Sequence, residues 1–178
     1  RDQLGSPRPV TTWDPYYRKD KTFSAVPLAP ILARGFAGVR PCVPGGSDCP
    51  HDLLLRARDG YTVPLRADRL MEPGAHIAVA DLDAGGDGWE PIGPGRADPR
   101  PFYLFWTEPH QRSLETHPRP WQLVSIELSR FETRFPHVLP HGLPTDAPAW
   151  RGLSLFRDLC IRCHAINREG GRVGPDLN

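Results

Sequence analysis

Twenty-two prolines are spread through this chain of 178 residues, and they constrain its fold more than any other feature. Each proline fixes φ and removes a backbone donor, so one inside a helix costs about 3 kcal/mol or more. Seventeen glycines work in the same direction. A helical bundle is disfavoured, and short strands joined by turns are expected. Hydrophobic residues make up 39% of the chain, enough for one core of ordinary size or one domain plus part of a second.

Between the prolines the hydrophobic period is readable. "DLLLRARDGYTVPLRADRL" sets Leu53, Leu55 and Ala57, then Tyr61, Val63 and Leu65, at period two on either side of Asp59-Gly60. That pattern predicts a β-hairpin with a two-residue connection. "AHIAVADLD" predicts a further strand, and "AGGDGWEPIGPGRADPRP" a long loop beside which Asp81 and Asp83 are read as solvated. "FYLFWTE" reads as a buried strand, and "WQLVSIELSRFETRF" begins by alternating as a strand does. Upstream, residues 1–22 lack a clear period and are expected to form an extended arm. "FSAVPLAPILARGF" suggests a strand and a helical turn, and "RPCVPGGSDCP" a loop.

The period changes once more near the end. "PHVLPHGLPTDAP" is proline-rich and reads as a linker. "AWRGLSLFRDLCIRCH" then repeats at helical spacing, with Thr145 or Asp146 as candidate cap and Pro148 in the first turn. The expected fold class is α+β: a β-rich domain over residues 1–140, followed by a helical segment over 141–178. Net charge is +1 without any block of like sign to argue for an anionic membrane, and no nucleic-acid partner is expected. No apolar run approaches the ~20 residues of a membrane-spanning helix.

The chemistry concentrates in the tail, "LCIRCHAINREGGRVGPDLN". Cys160, Cys163 and His164 are spaced C-x-x-C-H. Two thiols separated by two residues can add to the two vinyl groups of one porphyrin, and the adjoining imidazole then lies under the iron. The second ring nitrogen of that imidazole must donate to a fixed acceptor to hold the ring. Two other readings compete. A dithiol redox pair would need a thioredoxin-like βαβ frame, and half a zinc site would need a second C-x-x-C or H-x-x-x-H. Neither is visible. Cys42 and Cys49 are close enough in sequence to close a disulfide across "VPGGSD". Both chemistries suit a periplasmic or otherwise extracytoplasmic compartment. The chain starts at Arg1 rather than Met, which suggests a leader removed or left out.

"GLSLFRDLCIRCHAINREGGRVGPDLN" resembles the opening of a class I c-type cytochrome domain: helix, C-x-x-C-H, Gly-rich turn, then G-P-x-L. The resemblance implies covalent haem c, with thioethers from Cys160 and Cys163 and His164 as proximal iron ligand. It also implies that the Pro175 carbonyl accepts the His164 N–H and that Leu177 lines the haem pocket. Members of that family continue past this point to a helix and a Met on the other iron face. This chain ends at Asn178, and Met71 is its one methionine. A longer natural protein is therefore expected, with a partner-supplied ligand or an open iron face as alternatives. The histidines outside the motif, His51, His76, His110, His117, His137 and His141, are read as solvent-facing loop residues, and His137 and His141 are the nearest to the motif in sequence.

"LLLRARDGYTVPLRADRLMEPGAHIAVADLD" with "GWEPI", "PFYLFW" and "WQLVSIELSRFE" resembles the pterin-binding domain of sulfite-oxidase-like molybdenum proteins, over residues ~50–130. The resemblance implies a mixed, β-rich domain. In that family one loop cysteine ligates molybdenum, and Cys42 stands in the corresponding order. Its pairing with Cys49 points instead to a relative without molybdenum. The expected function is a periplasmic c-type cytochrome carrying single electrons to or from a redox partner protein, a dehydrogenase or respiratory carrier. The alternatives are an open-site haem sensor or peroxidase, and a molybdenum oxidoreductase with its own haem.

Overall fold

The computed structural model describes residues 5–39, 51–85 and 88–178. The expected Cys42–Cys49 disulfide lies outside the described residues. Strands dominate, helices are short, and the class is mixed. The strands are β1 (Arg8–Asp14), β2 (Lys19–Pro27), β3 (Asp52–Ala57), β4 (Thr62–Arg66), β5 (Ala75–Asp81), β6 (Tyr103–Trp106) and β7 (Leu123–Ser129), with a small pair β8 (Ala165–Ile166) and β9 (Glu169–Gly170) at the end. The helices are α1 (Leu28–Gly35), α2 (Ala67–Leu70), α3 (Phe131–Arg134) and α4 (Pro148–Leu155). Among the described residues no helix is long and apolar enough to cross a membrane.

Two antiparallel sheets carry the first part of the chain, one ordered β1-β2-β5-β6 and the other β4-β3-β7. Their facing sides share one core. Val26, Ile77, Leu104 and Trp106 come from the first sheet, and Leu53, Leu55, Val63 and Leu123 from the second. Helices α1 and α2 contribute Leu28, Leu32 and Leu70 to the same core. The alternate residues of the first sheet, Phe23, Ala25, Ala78, Tyr103 and Phe105, form a second core on its other face. Trp89, Ile92 and Trp121 from the long loops cover it. All four residues of β6 are buried because both faces of its sheet are covered, which is why "YLFW" is apolar without alternation.

Several expectations change in detail. The N-terminal segment is an edge strand: β1 pairs with β2 along its whole length, from Arg8↔Ala25 to Asp14↔Lys19. Its polar character comes from buried groups that are satisfied across the sheet. Thr12 donates to the Trp106 carbonyl at 3.1 Å, and Asp14 accepts from the Tyr103 hydroxyl at 2.6 Å and from Arg119 at 3.1 Å. Arg119 also donates to the Trp106 carbonyl, so β1 and β6, the two edges of one sheet, meet through side chains. The β3–β4 hairpin forms, but its connection is three residues rather than two. Ala57 and Tyr61 close it, the Gly60 amide donates to the Ala57 carbonyl, and Gly60 takes φ +90°. That is a type I turn followed by a left-handed glycine. Asp81, read as solvated, is buried against the equally buried Lys21 ammonium at 2.7 Å.

The C-terminal segment adds a third cluster, in which Phe131, Phe135 and Val138 meet Phe156 and Ile161. Pro148 opens α4 at its first position, where its missing N–H costs nothing. The preceding cap is Ala147, and neither Thr145 nor Asp146 supplies a side-chain cap bond. Two contacts tie this segment to the sheets. Arg157 pairs with Asp52 at 2.6 Å, and Arg162 donates to the carbonyls of Leu114 and Glu115.

Candidate functional site

The motif sits where the last helix unwinds. After α4 the backbone widens into a π-turn over Phe156–Cys160, closed by the Ile161 amide on the Phe156 carbonyl at 2.9 Å. Such turns are frequent at functional sites because they re-aim the side chains that follow. The Cys160 carbonyl then accepts both the Cys163 amide at 3.0 Å and the His164 amide at 2.8 Å, which compacts the two cysteines and the histidine into one turn. Cys160 and Cys163 are free thiols, both half-buried. Cys160 packs on the third core cluster.

Beyond His164 the chain makes a miniature hairpin, β8–β9. Asn167 and Arg168 both have positive φ, 51° and 66°, as a two-residue hairpin turn of matching twist requires. The turn is clasped from two sides. The Asn167 amide reaches the Asn178 side chain and the Arg168 amide the Asp176 carboxylate, while the Asn167 side chain donates to the His137 carbonyl. The Glu169 carboxylate accepts from both the His137 amide and its Nδ1.

Three glycines are compelled by close approach. A Cβ on Gly170 would stand 2.3 Å from the His164 carbonyl oxygen, and one on Gly171 2.5 Å from that of Arg162. A Cβ on Gly174 would stand 2.5 Å from the imidazole Cε1 of His164. The "EGG" and "G-P" of the sequence are therefore the spaces into which the motif turn and its ring fit.

His164 Nδ1 lies 2.9 Å from the Pro175 carbonyl oxygen. A carbonyl only accepts, so Nδ1 carries the proton. Nε2 of the neutral ring is left with its lone pair, the form in which imidazole binds a metal. The segment is further held by the Gly174 amide on the Cys163 carbonyl at 2.7 Å and by the Leu177 amide on the Ala165 carbonyl at 2.9 Å. Four large apolar side chains of this segment stay exposed: Leu155, Leu159, Val173 and Leu177, the last about half open to solvent at 51%.

The other residues singled out from the sequence are engaged elsewhere. Met71 packs against the shared core of the two sheets. His137 is paired with Glu169, and His141 Nε2 donates to the Pro136 carbonyl at 2.8 Å. His117, expected on a solvent-facing loop, is 2% exposed. Its Nε2 donates to Glu72 at 3.0 Å and its Nδ1 accepts from the Thr116 hydroxyl at 2.9 Å. Burial, only partly offset by Glu72, pulls the His117 imidazole below its usual pKa. Tyr61, across from the motif, has its phenol raised by burial and then by the proximity of Cys163. Among the described residues no three His, Cys, Asp or Glu side chains come together as a metal-ion site. No protein-family model matches the chain, and no curated protein matches it.

Proposed function

We propose that Cys160, Cys163 and His164 hold a covalent haem c and that the chain acts in single-electron transfer outside the cytoplasm, as a c-type cytochrome joined to a sulfite-oxidase-like β domain. The observation that carries this reading is the 2.9 Å contact between His164 Nδ1 and the Pro175 carbonyl. It fixes the tautomer and orients the ring, and it leaves Nε2 as a lone-pair donor beside two free thiols at haem-attachment spacing. The residues present fit the group. Gly174 supplies the space against the ring, and the exposed Leu155, Leu159, Val173 and Leu177 are apolar surface of the kind a porphyrin would cover. Bound haem would supply a one-electron iron couple whose potential depends on the second axial ligand and on burial.

In this reading each protein group has a stated task. Cys160 and Cys163 tether, His164 ligates, Pro175 holds the ring, and Leu177 excludes water. The β domain serves as a docking and shielding module without molybdenum of its own. The expected partner is a redox protein, a dehydrogenase or a respiratory carrier. The test is optical redox titration of protein made with haem-maturation machinery, alongside a His164→Ala variant. A reversible one-electron c-type spectrum whose ferrous form is low-spin supports the carrier. A five-coordinate ferrous spectrum that takes up carbon monoxide would move the reading to a sensor or peroxidase.

A further inference from the structure

A cleft of about 320 Å³ opens between the β3–β4 hairpin, α3 and the C-terminal loop. Four arginines line it: Arg56 from β3, Arg134 from α3, and Arg162 and Arg172 from the segment around the motif. No aspartate or glutamate is among its lining residues. Two of the four are already committed. Arg56 forms a two-pronged pair with Glu127, and Arg162 is held by the Leu114 and Glu115 carbonyls. Arg134 and Arg172 make no hydrogen bond or ion pair among the described residues, and Arg134 stands near enough to Glu127 to help lower its carboxyl. Leu54, Pro64, Phe135 and Ile161 add apolar surface to a lining that is on the whole more polar than apolar.

We infer that this cleft binds a short organic dianion, a dicarboxylate, through Arg134 and Arg172. Guanidinium presents a planar fork that takes a carboxylate through two parallel hydrogen bonds, so two uncommitted forks match two carboxylates. The side chains of Leu54, Pro64, Phe135 and Ile161 offer apolar contact for the carbon chain between them. The volume falls at the lower end of small-molecule pockets. Arg162, held by neutral carbonyls, adds positive potential without having to move, whereas the charge of Arg56 is offset by Glu127. The assignment does not invoke haem, and Cys160, Cys163 and His164 are not among the residues that line the cleft.

The test is isothermal titration of the full chain with succinate and, separately, with inorganic phosphate, at low ionic strength. Saturable succinate binding at one per chain is expected. Arg134→Gln and Arg172→Gln should each weaken it about tenfold or more, the scale of one lost charge-assisted pair. Arg58→Gln, outside the cleft, should leave it unchanged. Circular dichroism of each variant reports whether the fold is kept. No saturable binding of succinate overturns the proposal. So does tighter binding of phosphate than of succinate, or succinate binding that survives both substitutions in folded protein.

Discussion

Arg157 reaches Asp52 at 2.6 Å across 105 residues of chain, joining the π-turn that leads into the cysteine motif to the first residue of β3. Asp52 is almost wholly buried and Arg157 largely so, with side chains 4% and 22% exposed. Burial raises the Asp52 carboxyl above its usual range more than Arg157 lowers it. The bridge is therefore a positional device more than a source of stability, since desolvation offsets much of its attraction.

Removing one partner should be far worse than removing both. Arg157→Met leaves a buried carboxylate without its hydrogen-bonded cation, with only the longer-range attraction of Arg66, and is expected to cost about 2–4 kcal/mol in urea unfolding. Adding Asp52→Asn should recover much of that loss. The single variant's deficit should also shrink as pH falls. A carboxyl with a raised folded pKa binds its proton more readily folded than unfolded, so acid favours the folded state there.

Lys21 and Asp81 form a second such pair, fully buried at 2.7 Å, with Glu90 at 3.1 Å and the Tyr17 ring 4.8 Å from the ammonium. Lys21→Met should destabilise by about 3–5 kcal/mol, because Asp81 is left charged and dry. Lys21→Met with Asp81→Asn should be milder. Chemical denaturation of the two variants gives the comparison.

His117 gives stability a pH dependence of known sign. Its pKa is depressed below 6.5 in the folded chain, first by burial. Between the folded value and 6.5 the unfolded chain binds more protons, so stability falls as pH drops below 6.5 through that window. His117→Asn should flatten this part of the profile. Urea midpoints measured across the window for both proteins provide the check.

Gly174→Ala probes the space around the His164 ring. The added Cβ would stand 2.5 Å from Cε1 and 2.7 Å from Nδ1 of His164, so ring or loop must move. Loss of about 1–3 kcal/mol in the C-terminal segment is expected from overpacking. Covalently attached haem should fall sharply, while the unfolding of the two-sheet module shifts little. Haem content per chain and thermal unfolding followed at separate wavelengths report the two effects.

The parts legible in the sequence were those governed by local period. β3, β4, β5, β6 and β7 follow their alternation or apolar run, and Pro148 marks the start of α4. β1 was not legible, since Thr12 and Asp14 look like surface residues until Tyr103, Arg119 and the Trp106 carbonyl satisfy them from far along the chain. His117 and Asp81 look like surface residues in the sequence for the same reason: a buried polar group is recognisable only with its partner. The motif was legible by spacing. What its spacing does not contain is the packing of Gly170, Gly171 and Gly174 against the motif turn and ring, or the grip of Glu169 and Asn167 on His137. A run of glycines after C-x-x-C-H was the available signal, and it needed the fold to give it a meaning.

The central claim is tested most directly by intact mass together with a pyridine haemochrome spectrum, on protein matured with haem-attachment machinery. The account predicts a mass increase of one haem, a c-type haemochrome, and no alkylatable thiol at Cys160 or Cys163. Colourless protein of unmodified mass, with both of those thiols open to alkylation, would contradict it.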